Sequence, residues 1–308
     1  MLVLLMRTSY IDIQSTKYRK KEVTITEHQI ARTLDYLDID MHYTAGRNNY
    51  ETGKLRRKYS MMICGRFKFI APVLIKPVYN ISHRLALLHL NKLVDEGYLA
   101  VCRAPSFIDG RVYVLTYLGA SYASQLLQTT IQFRSESNPS RQLNHSTLYH
   151  DMMNAYVLLR GVNNYNKDGE YQPLWDGFVN EPEFSNIYTS NTTRTVDGLV
   201  REISKDQTIV ALEIEASFKK KAARKTILLK YLEGMNAGIY KKVFMVSQHQ
   251  KIFHDIKRFH NQLLEELPQI YDKKTKQPVL TIADVLVLKK SIIFRTKFCD
   301  ELQNTFYP

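Results

Sequence analysis

The chain carries Thr195-Val196-Asp197-Gly198 and, a little further on, Thr208-Ile209-Val210-Ala211-Leu212-Glu213-Ile214-Glu215. Two β-branched runs, residues 193–200 and 208–215, flank the polar turn Ser204-Lys205-Asp206-Gln207, which predicts a β-hairpin. Side chains alternate along a strand, so Glu213 and Glu215 share one face of the second strand while Val210, Leu212 and Ile214 take the other. Asp197 adds a third acid from the opposite strand. Carboxylates converging from adjacent strands repel and raise one another's pKa, so a fold keeps them together mainly when a cation sits between them. An all-oxygen set suits Mg²⁺ or Mn²⁺. Lys219, Lys220, Lys221, Arg224 and Lys225 follow at once. Acids for a metal beside bases for a phosphate point to a nuclease. A hairpin with a merely solvated acidic face is the commoner outcome for such a pattern, but it leaves the uneven acids and the bases after them without a role.

Composition sets the outer limits. A chain of 308 residues with 44% hydrophobic and 11% aromatic content is globular and long enough for two domains. Lys and Arg outnumber Asp and Glu by 43 to 30, a net charge of +13, and the pI is near 9.4. That balance is the electrostatic footprint of a nucleic-acid partner, although an anionic membrane surface would attract it too. No apolar run has the length of a membrane-spanning helix, and the apolar start, Met1 to Met6, is too short for a signal-peptide core. Cys64, Cys102 and Cys299 are far apart, which signals neither a disulfide framework nor a zinc knuckle and predicts a reducing, cytoplasmic setting.

From the start, Lys17, Arg19, Lys20 and Lys21 form a basic arm, and Thr26 caps a predicted helix over 27–37. Residues 42–66 are read as a polar loop followed by the basic run Lys54-Leu55-Arg56-Arg57-Lys58, with Lys54, Arg56 and Arg57 expected on phosphates. Thr52-Gly53-Lys54 is no phosphate-binding loop, because Asn48 stands where that motif needs glycine. Residues 67–128 then predict an apolar helix, a turn at 77–80, a helix from Ile81 to a glycine stop at Gly97, two short strands and a further helix. Helix, turn, helix and a two-stranded ribbon is the order of a winged helix. The segment resembles that family at Leu90-Asn91-Lys92-Leu93-Val94-Asp95-Glu96-Gly97-Tyr98-Leu99 and Val112-Tyr113-Val114-Leu115-Thr116. The resemblance implies a recognition helix that presents Ser82, His83, Arg84 and Lys92 to DNA, and a wing tipped by Asp109-Gly110-Arg111.

The aperiodic stretch 129–144 reads as the domain boundary. Beyond it the sequence predicts a helix from Ser146 carrying His150-Asp151, a turn-rich tract over 163–182, the acidic hairpin, a helix, a strand over 242–246, a helix and a last strand over 279–288. This half looks like the PD-(D/E)xK nuclease fold, and the whole chain resembles the replication-relaxation family of plasmid proteins and, through it, the MobC-type relaxases. The matching residues are the winged-helix segment, His150-Asp151, Val196-Asp197-Gly198, Leu212-Glu213-Ile214-Glu215, Tyr231 and Val243-Phe244-Met245-Val246. Two positions depart from the nuclease pattern: Val196 replaces proline, and Glu215 stands where the pattern wants lysine. Lys219, Lys221 or Lys225 could supply the missing cation, or Glu215 could serve as a third ligand or as the base.

The expectation is therefore an α+β protein of two domains. Residues 1–132 form a winged helix-turn-helix with a basic arm, residues 133–144 a linker, and residues 145–308 an α/β domain like the PD-(D/E)xK restriction endonucleases. The resemblance implies Mg²⁺- or Mn²⁺-dependent nicking of double-stranded DNA at a plasmid or mobile-element origin, with other mobilisation or replication proteins as partners. Asp197, Glu213 and Glu215 would hold the metal, while His150, Asp151, Lys219 and Lys225 would complete the site. No His-x-His pair occurs, which speaks against a histidine-cluster relaxase. The alternative is a non-catalytic DNA-binding regulator or accessory factor with a degenerate nuclease domain.

Overall fold

In the computed structural model, residues 25–105, 109–131, 133, 138–188, 193–273 and 275–307 are described; the basic arm and Arg134 to Ser137 of the boundary stretch lie outside them. Thr26 starts α1 (Glu27–Leu37) through a reciprocal capping box with Gln29, as its sequence predicts. The expected loop and basic run over 42–66 is instead mostly one long helix, α2 (Asn49–Phe67), capped by the Asn48 side chain on the Glu51 N–H. Its early turns are largely polar, whereas Tyr59 to Cys64, Arg66 and Phe67 are buried on nearly every side, so no apolar stripe recurs along it.

Next come α3 (Pro72–Tyr79), α4 (His83–Asp95), the antiparallel pair β1 (Leu99–Arg103) and β2 (Arg111–Leu115), and α5 (Tyr117–Leu127), in the predicted order. Ser82 caps α4, and Gly97 takes the left-handed conformation, φ 79°, that lets the chain turn into β1.

The second half opens with α6 (Leu148–Val162), β3 (Trp175–Asn180) and α7 (Glu181–Ile187). The tract expected to be turns, 163–182, thus holds a strand and the start of a helix. Trp175 seals β3 onto α6, its indole N–H donating to the Leu158 carbonyl at 3.0 Å. Gly177 is required here, because a Cβ at that position would meet the Leu37 carbonyl oxygen at 1.9 Å where α1 ends against β3.

The hairpin follows as β4 (Gly198–Glu202) and β5 (Ile209–Ile214), then α8 (Lys221–Asn236), β6 (Lys242–Val246) and α9 (Gln250–Glu266). The last expected strand, 279–288, is mainly α10 (Ile282–Ser291); the strand is β7 (Ile292–Phe294), and α11 (Lys297–Phe306) follows. A Thr281–Asp284 capping box starts α10 and outweighs its β-branched content. The sheet order is β3-β4-β5-β6-β7, antiparallel through β5 and parallel from β5 to β7. This is a mixed α+β architecture.

Val210, Leu212 and Ile214 face the core shared with α6, while Ala211, Val243 and Met245 face the core under α8 and α9. Both faces are therefore covered, and the face that carries Glu213 and Glu215 is buried rather than solvated. One core runs without a break from α2 to α5 into α6, and α1 packs on β3 and α7. Arg66 ties these parts together: its guanidinium donates to both Glu183 carboxylate oxygens at 2.8 and 2.7 Å and to the Phe178 carbonyl at 2.7 Å.

A half-buried imidazole, His89, and a buried one, His260, make stability depend on pH. Burial, helped by the charges of Arg56, Lys92 and Arg57, holds His89 down at about 4; burial and Arg224 hold His260 at about 4. In the unfolded chain both take up a proton near the usual 6.5. Between those values the unfolded state binds more protons, so stability rises with pH and is lost as pH falls from about 6.5 towards 4. The urea midpoint should be lower at pH 5 than at pH 7, and His89→Gln with His260→Gln should flatten that difference; an unchanged slope in the double variant would refute the assignment.

Candidate functional site

Three elements meet at the start of β4. Asp197, immediately before that strand, is buried and accepts a hydrogen bond from the Ile214 N–H at 2.6 Å, which fixes it to β5. From α6, His150 Nε2 lies 3.1 Å from Asp197 Oδ1, and Asn154 donates to the Asp197 carbonyl at 2.6 Å. Glu181, the first residue of α7, completes the group: one donor atom each from His150, Glu181 and Asp197 all lie within 4.8 Å of one another.

The electrostatics follow from this crowding. Burial alone would raise the Asp197 carboxyl, but the hydrogen bond and charge of His150, the Ile214 N–H and the Arg194 charge outweigh it and hold the group below its ordinary value. Burial alone would lower His150; Asp197, Glu181 and Asp151 overcome it and push the imidazole up to about 9. Glu181 is raised by burial and then by the charges of Asp197 and Asp151. Asp151 is raised mainly by burial and accepts a hydrogen bond from the Thr147 hydroxyl at 2.9 Å.

The expected gathering of Asp197, Glu213 and Glu215 around one cation is corrected by the geometry. Each hairpin glutamate is fully buried and already matched by arginine. Arg194 grips Glu213 through both oxygens at 2.5 and 2.6 Å. Burial, with the Asp197 charge next, still pushes Glu213 up to about 7 against that guanidinium. Arg224, from α8, donates to the two oxygens of Glu215 at 2.6 and 3.1 Å, and Lys219 Nζ adds a contact at 2.6 Å. Lys219 therefore serves Glu215, Lys221 pairs with Glu266 at 2.5 Å, and Lys225 makes no ion pair among the described residues. Tyr231 is a buried packing group beneath Arg194.

The donor set that does gather is one imidazole nitrogen and two carboxylate oxygens. That chemistry fits a divalent ion, and the imidazole moves the preference from Mg²⁺ towards Mn²⁺ or another transition metal. Glu181 escaped the sequence reading, although Asn180-Glu181-Pro182-Glu183 carries a legible capping-box pattern that the structure realises. Arg194 and Arg224 had no signal beyond their charge.

On the other half of the molecule, Arg84 and Lys92 are exposed on α4 and Arg111 on β2. Ser82 is spent as the helix cap, and His83 is tied to Asp109 at 2.7 Å, so the start of α4 is bound to the ribbon. On α2, Lys54 lies over the Tyr50 ring at 4.5 Å, Arg56 over Tyr79 at 5.8 Å, and Arg57 bonds Glu96 at 2.9 Å. Among the described residues, no helix is long and apolar enough to cross a membrane. Comparison with models of known protein families, with characterised proteins and with solved structures finds no match to this chain.

Proposed function

We propose that the chain is a DNA-binding, metal-dependent nicking endonuclease of the relaxase kind, acting at a plasmid or mobile-element origin. The observation that carries this reading is the convergence of His150, Glu181 and Asp197 from three elements, within 4.8 Å, at the mouth of the β4–β5 hairpin. The order α6, β3, β4, β5, α8, β6, with α7 inserted between β3 and β4, supports a PD-(D/E)xK-like core, and α3, α4, β1 and β2 support a winged helix. In this reading the metal ligands are His150, Glu181 and Asp197, with Mn²⁺ preferred. A bound ion would supply Lewis acidity at the scissile phosphate. Asp197 orients His150, the Ile214 N–H fixes Asp197, and Asp151 adds negative charge beside the set. Arg84, Lys92 and Arg111 would supply contacts to phosphates that weaken with salt.

A second reading, a DNA-binding accessory factor with a degenerate nuclease domain, is favoured by one observation: Glu213 and Glu215 are both paired with arginine, and Glu215 itself stands where the nuclease pattern wants lysine. The two readings separate in a nicking assay on a supercoiled plasmid that carries the DNA flanking this chain's gene. Mn²⁺-dependent nicking by the wild type, abolished by EDTA and lost in Glu181→Ala and His150→Ala, is the expected result. A wild type that shifts the plasmid in a gel but leaves it supercoiled in either metal would install the second reading.

A further inference from the structure

Between α2 and α4 lies an open groove of about 270 Å³, walled by Tyr50, Gly53, Lys54 and Arg57 on one side and by His89 and Lys92 on the other. Tyr50 is 71% exposed, with the Lys54 ammonium over one face of its ring at 4.5 Å. Three cations, Lys54, Arg57 and Lys92, face one acid, Glu96, which Arg57 holds at 2.9 Å and Lys92 approaches at 3.9 Å, so the groove keeps a positive balance.

Gly53 leaves one stretch of the groove wall without a side chain. Glycine in a helix interior is destabilising relative to alanine, and such a residue normally answers to a close packing contact. Here a Cβ would meet nothing within 4 Å, so no part of the chain requires the glycine. Tyr50, Gly53 and Lys54 are spaced to share one face of α2, which places an aromatic ring, bare backbone and an ammonium in a row along the groove. That row matches the needs of a nucleotide: a surface for the base to stack on, room for close approach, and charge for the phosphate.

We propose that this groove holds one unpaired nucleotide of the bound DNA strand, its base stacked on Tyr50 and its phosphate between Lys54 and Lys92. The inference rests on the nucleic-acid reading above and extends it from duplex to a strand that is locally opened. Lys92 joins the two surfaces, since it stands both on the exposed side of α4 and in the groove wall.

The test uses the full chain in fluorescence anisotropy with two probes, a blunt duplex and the same duplex with a short single-stranded tail, and with a deoxynucleoside monophosphate as competitor. The wild type should bind the tailed probe roughly tenfold more tightly, the scale of one stacked base. Tyr50→Ala and Gly53→Ala should each erase that preference and leave blunt-duplex affinity in place. Gly53→Ala should melt at or above the wild-type temperature, which separates lost binding from lost folding. Blunt and tailed probes bound equally by the wild type, or a preference that survives both substitutions, would sink the groove assignment while leaving duplex binding intact. A free nucleotide bound more tightly than the tailed duplex would overturn the strand as its occupant. Failure to bind either DNA at low salt would remove the nucleic-acid reading itself.

Discussion

Arg224→Ala is expected to lower the free energy of unfolding by about 3–5 kcal/mol, towards the lower end of that range, without touching His150, Glu181 or Asp197. Both Arg224 and Glu215 have fully buried side chains, and their guanidinium and carboxylate meet at 2.6 Å under α8. Removing the cation leaves the Glu215 carboxyl without its buried partner, held by Lys219, which is 31% exposed. That surviving partner is why the loss should sit at the low end. Taking both charges out together is a different experiment. Glu215→Leu with Arg224→Met replaces a buried ion pair by apolar groups of similar size, and such replacements are often neutral or stabilising. Urea unfolding followed by Trp175 fluorescence reads both. A loss below about 0.5 kcal/mol in Arg224→Ala would put the residue with ordinary surface positions, and a double variant as unstable as the single one would show that packing, not charge, is at stake.

That pair also explains why the sequence misdirects at the hairpin. Alternation along residues 208–215 separates apolar from acidic side chains correctly, but it cannot say whether the acidic side faces water or a helix. The answer comes from Arg224, on the helix that follows the hairpin, and from Arg194, ahead of its first strand, whose partners only the fold assigns. Local signals were otherwise read well where a cap or a turn stood in the sequence, Thr26 for α1 and Gly97 after α4, whereas Ser82, expected to face DNA, is the cap of α4. They failed where burial removes periodicity. Tyr59 to Phe67 turns inward on nearly every side, so α2 shows no stripe, and the run over 282–288 looks like a strand until the Thr281 cap is weighed. Within the candidate site, Asp197 and His150 were legible as residues of interest, whereas Glu181 was hidden in a tract read as turns.

Asp197→Asn should abolish nicking while sparing the fold, and the reasons differ for each half of that statement. The amide keeps the size of the carboxylate and an oxygen to accept the Ile214 N–H, so the junction of β4 and β5 is preserved. What is lost is the negative charge that holds His150 in place and that a divalent cation would need. Substitution of groups that merely orient metal ligands typically costs about 10–100-fold in metal affinity or activity, so loss of a direct ligand should reach at least about 100-fold. DNA binding should move the other way. In EDTA the wild-type site presents carboxylates to a phosphate, and removing one reduces that repulsion, so Asp197→Asn should bind duplex DNA as tightly as the wild type or more tightly. Calorimetric titration with Mn²⁺, plasmid nicking and anisotropy on one preparation distinguish the outcomes. Weakened Mn²⁺ binding with nicking gone and DNA affinity retained places the chemistry at Asp197. Undiminished nicking would remove Asp197 from the reaction, and joint loss of DNA binding and thermal stability would make it a structural residue of the hairpin.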